Sequence, residues 1–588
     1  MVAAAAAGVL LVRLGGPPLW DDDEPKNAAC SLAMLDAGDW VVPTFNGRLR
    51  IEKPPLVNWL QLAGFAACGR NEVGARIASA VLTVGTCLLT WRTGCLLLGP
   101  QAGLIGGLAM ATCVWTAIGG RAATPDAPLV FFTTLALFLF VRGTCRGPAA
   151  ASASWHHPPA EHGPPAAHGV RLGPWAAAAV GAACGAATLA KGPVGLVLPW
   201  LAFLLFAVWR ERPGTVARVR ETFMSLRPLT LCGAATAVAA PWYAWVGLRT
   251  GGDWLHGFLV VHNVGRFAAP MEGHAGSPLY YPAVVAVGLF PWSIVLAAMA
   301  VHAWSILRAT DGDVRRRPLQ LLACWTLAWI GCFSCAGTKL PGYVWPAYPA
   351  LAIATGLFLS DWMDGRVHWT VHRTWPSRWP RPPRWLRTPG SVAAAVMGLA
   401  WTILGLSGVG LAVGLVVAAR RLAPGAEWLG CLGVIPLAAA AAAWRAQAAG
   451  RPQRAVAALA VGACLLVGLM ASVAAEAFGD AQGSRLLVNR LECPAGDCQW
   501  ACLWNVPPSL VFYTGARIER LDTAADVARH LRRHPRSRVV IDDRQERLVT
   551  AVLPPGCGVL ARVPTLDRHD VLLLGRLPGG EHPLACND

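Results

Sequence analysis

Charged residues are scarce in this 588-residue chain: Asp, Glu, Lys and Arg make up 14% of it, where a soluble domain carries about a quarter. Hydrophobic residues reach 55% and the mean hydropathy is +0.45, so the chain reads as an integral membrane protein. Its apolar segments lack strand alternation, which rules against a transmembrane barrel. The net charge of +17 comes without a basic helix with interleaved aromatics and without an RNA-binding signature, so nucleic acid is not the expected partner. No A-x-A cleavage site follows the thin apolar run at 2–14, which reads as the end of a first transmembrane helix rather than a removable signal. Repeats of solenoid or transporter type are missing.

What is present is a succession of membrane-grade segments at about 2–14, 77–98, 102–119, 127–142, 174–190, 192–209, 228–247, 282–306, 319–335, 341–360, 391–418, 427–444 and 454–478. These imply about thirteen transmembrane helices, each near the roughly 17–25 residues a bilayer requires. Twenty-seven tryptophans, many beside segment ends, fit interfacial aromatic belts. The loops at 142–173, 210–227, 307–318, 362–390 and 445–454 hold 21 Lys and Arg, and the short loops of the other side hold seven. The positive-inside rule assigns the first set to the cytoplasm. The loop at 15–76 and the C-terminus then face outward. The Ala/Pro/His-rich loop 147–169 reads as a low-complexity linker, and the Trp/Arg/Pro-rich loop 366–387 as a headgroup-facing segment.

Two domains follow: a membrane domain over 1–480 and a small extracytoplasmic α/β domain over 485–588. In the second, Ser509–Tyr513, Arg538–Ile541, Val559–Val563 and Val571–Leu574 read as strands, and Thr523–His534 as a helix. It carries no nucleophile elbow, phosphate loop or paired-carboxylate motif, so it reads as accessory. Five of 18 cysteines fall here. Cys493-x4-Cys498-x3-Cys502 reads as a disulfide cluster in an oxidising compartment or as a metal site.

The stretch Asp21–Pro55 is the polar, acidic exception near the start. Asp22 or Asp23 can cap a helix with Glu24 and Pro25 in its first turn and Gly38 at its end; a second helix begins at Pro54-Pro55. Ala28, Leu32 and Leu35 share one face of the first, which would lay it along the membrane. Further polar sets fill the outer loops: Arg121 to Asp126, Lys191, His262 to Arg266, Glu272-Gly-His274, and Lys339 to Tyr343. Ionisable groups near hydrocarbon are costly, about 2.5–3.5 kcal/mol at a helix centre, yet each has a bland reading. Asp23 and Asp126 can be helix caps; Lys53, Lys191, Arg266 and Lys339 can be snorkelling cations; His262 can be a bonded loop histidine. Convergence of carboxylates, cations and a tyrosine on one face is what points to a lipid-headgroup active site.

The stretch DEPKNAACSLAMLDAGDWVVPTFNGRLRIEKPPLVNWL resembles the first outer loop of the bacterial lipid A 4-amino-4-deoxy-L-arabinose transferases, relatives of the protein O-mannosyltransferases among the GT-C membrane glycosyltransferases. TPDAPLVFF, LAKGPVGLVLP, HNVGRF, LFPW and FSCAGTKLPGYVWPAYPALA extend the likeness in order over about 17–360. Two positions depart from the family pattern, Asn27 and Cys30. The resemblance implies an all-α polytopic GT-C fold in the cytoplasmic (inner) membrane. It also implies inverting transfer, on the outer face, of a sugar from a polyprenyl-phosphate donor to a glycolipid, glycan or protein acceptor. Carried over by position, Asp23 orients or deprotonates the acceptor, with Glu24 beside it and Asp126 as the second acidic residue. Lys53, Arg266 and Tyr343 hold the donor phosphate, with Lys339 and Lys191 as further cations. Glu52 and His262 fall where relatives would hold a divalent metal (zinc or magnesium). The rival readings are a secondary transporter or flippase and a non-catalytic anchor for the C-terminal domain.

Overall fold

The computed structural model describes the chain apart from residues 21, 145–169, 212–213, 271–275, 278, 310–312, 368, 370–388, 480–484, 486–487, 489–497, 565–568 and 578–588. The linker 147–169, most of 366–387, Glu272, His274, Cys493 and Cys586 therefore lie outside the described residues.

Every expected membrane segment is helical, but fewer qualify as spans. Nine helices among the described residues are long and apolar enough to cross a bilayer, or up to eleven if each of two bent pairs counts as one. The two remaining segments explain the difference from thirteen. Val2–Leu10 has only nine residues, less than half the roughly 30 Å hydrocarbon thickness at 1.5 Å per residue. Pro174–Lys191 is rich in Ala and Gly, and it trades hydrophobicity for close packing. A Cβ at Gly181 would fall 2.2 Å from the Leu231 carbonyl oxygen, and one at Gly185 would fall 2.6 Å from that of Ala235. Small residues of this kind let helix backbones approach within a membrane. On the long helix Pro389–Leu422, Leu399, Leu406 and Val413 recur every seventh residue and are all more than 60% exposed. An outward apolar stripe of that sort is stable only against hydrocarbon. The chain is a multi-pass membrane protein.

The first loop folds as two helices around a hairpin. Asp23–Ala37 is helical and ends at Gly38, φ +63. Strands β1 (Thr44–Phe45) and β2 (Arg48–Leu49) pair antiparallel. They are joined by Asn46 (φ +49) and Gly47 (φ +75), the Asn-Gly pair that a two-residue turn with both φ positive favours. A second helix, Leu56–Cys68, follows. The two helices meet through polar side chains as well as apolar ones. Ser31 donates to Gln61 at 2.6 Å and Asn58 donates to Ser31 at 2.9 Å, all buried. The first helix is thus held inside the protein along this seam, rather than simply lying on the bilayer through Ala28, Leu32 and Leu35. Tryptophans pin the loop between them: the indole N–H groups of Trp59, Trp242 and Trp254 donate to the carbonyls of Trp40, Val41 and Arg50.

The C-terminal domain is a five-stranded sheet in the order β4-β3-β5-β7-β6: β3 Trp500–Leu503, β4 Ile518–Leu521, β5 Arg538–Asp542, β6 Cys557–Pro564 and β7 Asp570–Arg576. Strands β3, β4 and β5 run parallel and β7 is antiparallel to both β5 and β6. Ser509–Tyr513, expected as a strand, lies in the helix Pro508–Thr514, because Pro508 at its first turn outweighs the β-forming side chains after it. Cys498 is disulfide-bonded while Cys502 is a free, buried thiol on β3. Cys502 therefore belongs to a hydrophobic core and not to a metal site. That core is shared: Leu19, Ala28, Phe65 and Ala123 of the membrane domain pack with Leu510, Phe512 and Ile518. First loop and C-terminal domain therefore stand on one face of the molecule.

Candidate active site

Two carboxylates far apart in sequence are drawn together by the side chains between them. Glu24 accepts from the Ala123 N–H at 2.7 Å, and Asn27, one turn on, donates to the Ala123 carbonyl at 2.9 Å. This grip on the 121–126 loop brings Asp126 to the face that carries Asp23. Glu24 itself is buried and paired with Arg76 through both oxygens, at 2.9 and 2.7 Å, and also accepts from the Trp20 N–H. Expected among the catalytic acids, it is instead a fully engaged structural carboxylate. Asn27, one of the two departures from the family pattern, also accepts from Arg50 at 2.6 Å. Cys30, the other, is fully buried.

Asp23 stands in the first turn of its helix with an exposed side chain. Crowding by protein atoms pushes its carboxyl pKa up, but Lys53, Lys191, Arg50 and Lys26 outweigh that and hold it below the ordinary value. Asp126 is ion-paired to Lys191, whose ammonium also lies 5.0 Å from the Tyr343 ring centroid. Gly342 is what permits this approach. A Cβ there would lie 3.3 Å from Asp126 Oδ2, so any larger residue crowds the pair.

A cavity of about 520 Å³ adjoins these groups. Lys53, Lys191, Arg266, Tyr343, Glu52 and His262 contribute its polar lining; Leu129, Val194, Val197, Leu198, Phe258, Phe267 and Phe333 are among its apolar walls. Val197, Val264 and Phe267 are about half exposed or more, so the apolar wall continues onto the outside of the membrane domain. Lys53, on the cavity wall, has no hydrogen-bonded or ion-paired partner among the described residues. Burial, partly opposed by Asp23 and reinforced by Lys191, lowers its pKa to about 8. The chain has four lysines, Lys26, Lys53, Lys191 and Lys339, and the other three are engaged: Lys26 with Glu52 at 2.9 Å, Lys191 with Asp126, and Lys339 with backbone. Lys339, expected at the donor phosphate, gives its protons to the carbonyls of Phe333, Ser334 and Ala336 at 3.3, 2.9 and 2.6 Å. It caps the C-terminal end of the helix Arg316–Cys335 and does not line the cavity.

Glu52 and His262 share the cavity but make a poor metal site. Glu52 already lies between Lys26 and Arg50, at 2.9 and 3.3 Å, and these cations hold its pKa down against burial. Among the described residues, the group of three donors that converges is Asp542, Asp543 and His569, in the C-terminal domain. The first loop therefore does not present the ligand set that the resemblance implied.

The comparisons with known proteins bear on the fold. Residues 52–150 match the family model described as dolichyl-phosphate-mannose-protein mannosyltransferase. Over the whole chain the fold is that of a solved ArnT from Cupriavidus metallidurans. The form bound to undecaprenyl phosphate has a TM-score of 0.71 at 20% identity, with 97% of each chain covered. The apo form gives 0.73. In sequence the chain is similar to undecaprenyl phosphate-alpha-4-amino-4-deoxy-L-arabinose arabinosyl transferases. The protein of that name from Pseudomonas aeruginosa LESB58 is 31% identical over 358 residues, and that from Erwinia tasmaniensis is 28% identical over 344. The match spans 59% of this chain and 56% of the Pseudomonas protein, slightly more than half of each.

Proposed function

We propose that this protein transfers a sugar from a polyprenyl-phosphate donor to an acceptor at the outer face of the cytoplasmic membrane, with its C-terminal domain on that same side. The observation that carries the reading is the two-natured cavity. Its lining offers Lys53, Arg266 and Tyr343 for a phosphate, and apolar walls that continue onto the outside of the membrane domain for a prenyl chain. Fixed cations make a lipid phosphate a good leaving group, because they meet its charge as it departs.

In the proposed step the acceptor oxygen forms a bond to the anomeric carbon from the face opposite the phosphate. The bond from that carbon to the phosphate oxygen breaks, and its electron pair leaves with the polyprenyl phosphate. Asp23, exposed and held ionised, takes the acceptor hydroxyl proton. Asp126 keeps Lys191 oriented on the cavity lining, and Glu24 positions the loop without reacting. An acceptor that is already a phosphate needs no base, and Asp23 then orients the acceptor or the donor sugar. No step is routed through a metal. The acceptor is a lipid A-like glycolipid, another glycan or a protein hydroxyl. The transporter reading finds no support, since the ionised groups of the membrane domain gather at the ends of the helices rather than along a path through the membrane.

The test is transfer from a labelled lipid-linked sugar in membrane vesicles. Asp23→Asn is expected to lower the rate by about 10²–10⁴, the usual worth of a positioned base, with the protein still accumulating. Undiminished transfer in Asp23→Asn removes the base; solute uptake with no transfer in the unaltered protein removes the proposal.

A further inference from the structure

The hairpin β1–β2 meets the C-terminal domain through Asn46, whose side-chain amide both donates and accepts. The Asn46 amide donates to the Ile518 carbonyl at 2.9 Å and accepts from the Ile518 N–H at 2.9 Å. Ile518 opens β4, which is the edge strand of the five-stranded sheet. Asn46 therefore satisfies backbone groups that an edge leaves unpaired. Beside it, Gly47 lies under the Arg517 guanidinium, where a Cβ would meet the side chain at 2.9 Å. Seven residues beyond Asn46 comes Lys53. The segment between is anchored on the membrane side, with the Arg50 carbonyl held by Trp254 and its guanidinium by Asn27. The hairpin is thus fastened at its tip by the C-terminal domain and at its base by the membrane domain, and Lys53 follows directly from the base.

We infer that Asn46 is a positioning residue through which the docked C-terminal domain fixes Lys53 for the donor phosphate. This rests on the donor-phosphate reading of Lys53. It makes the C-terminal domain part of the active site rather than an appendage.

Asn46→Gly is the informative substitution, because glycine accepts the positive φ without strain and only the clamp is lost. Asn46→Asp keeps the acceptance from the Ile518 N–H and loses the donation. Asp526→Ala is the control: it removes the capping box of the helix Ala524–Arg533, elsewhere in the same domain, and leaves the hairpin alone. In the full-length protein in detergent, the KM for a lipid-linked sugar is expected to rise about five- to tenfold in Asn46→Gly, the worth of one or two hydrogen bonds. The rise should be smaller in Asn46→Asp and absent in Asp526→Ala, with kcat little changed. A second readout needs no turnover: the pH dependence of amine labelling at Lys53, resolved by peptide mapping. Its midpoint should move up in Asn46→Gly as the side chain loosens into water. If the hairpin amides exchange faster in Asn46→Gly while KM and the labelling midpoint both stay put, the inference is overturned. If the unaltered protein transfers nothing, the donor reading falls, and the labelling midpoint alone then decides whether the clamp governs Lys53. Should Asn46→Gly not accumulate, the same comparison is made with Asn46→Asp.

Discussion

Among the described residues of the membrane domain, two clusters of ionised side chains stand at opposite ends of the helices Arg316–Cys335 and Tyr348–Met363. At the end away from the first loop, Asp361 is 1% exposed. It receives His302 at 2.8 Å, Arg315 at 2.7 Å and Arg366 at 3.5 Å; Arg315 also holds Asp313. At the end near the first loop the balance is different. Glu24, Glu52 and Asp126 are paired, but Lys53 is left beside a cavity and Asp23 is open to solvent. Both clusters carry cations and carboxylates on neighbouring elements. One closes on itself and ties helices together; the other keeps a cation and a carboxylate in hand for something that is not protein. A closed cluster is a structural device, and an unfinished one next to a cavity is where chemistry is expected.

The largest effects that test this contrast come from the closed pairs. Glu24→Gln leaves the buried Arg76 without its full partner, which costs about 3–5 kcal/mol when a buried pair is broken; Asp361→Asn costs less, because Arg315 and Arg366 are partly exposed and can turn to water. Thermal unfolding in detergent should show both. Transfer per folded molecule should survive in Asp361→Asn; if it is lost there, the two clusters are not functionally separate.

Lys53→Met should do the reverse, with stability held or raised because the penalty of burying the charge is removed, and kcat/KM for the donor down about 10- to 100-fold, the worth of a charge-assisted bond. The pH dependence sharpens this. Lys53 carries its charge below about pH 8 and loses it as pH rises through that value, since its pKa is lowered from 10.5. Donor capture, read as kcat/KM of the free enzyme, should therefore fall on the alkaline side with a midpoint near 8. Lys53→Arg should abolish that limb, because guanidinium does not titrate in this range. In stability the sign is opposite: burying the charged form is unfavourable, so the penalty eases between about pH 8 and 10.5.

The smallest effect on transfer is expected at Lys339→Met. Loss of a buried helix-end cation costs about 2 kcal/mol, seen as a lowering of the melting temperature, and the donor KM should not change. A large rise in KM would return Lys339 to the phosphate.

Much of this could be read from residues in order. Hydropathy marked every helical membrane segment, since the bilayer imposes length and apolarity locally on each helix. Gly38 and Pro54-Pro55 marked the ends of the first-loop helices, and Asn46-Gly47 carries the turn of a hairpin that hydrophobic patterning does not reveal. The polar residues of the first loop, of 121–126 and at Lys191 marked a candidate site. Their local sequence determined which charges lie near the surface, because that depends on a few neighbouring residues.

Which of those charges remain available was decided only in three dimensions. Glu24 is taken by Arg76, Lys191 by Asp126, and Lys339 by carbonyls of its own preceding helix, leaving Lys53 facing the cavity. Asn46 finds Ile518 some 472 positions on. A side chain's charge is fixed by its own chemistry, but its partner, its solvation and hence its readiness to react are set by whatever the fold brings within a few ångströms.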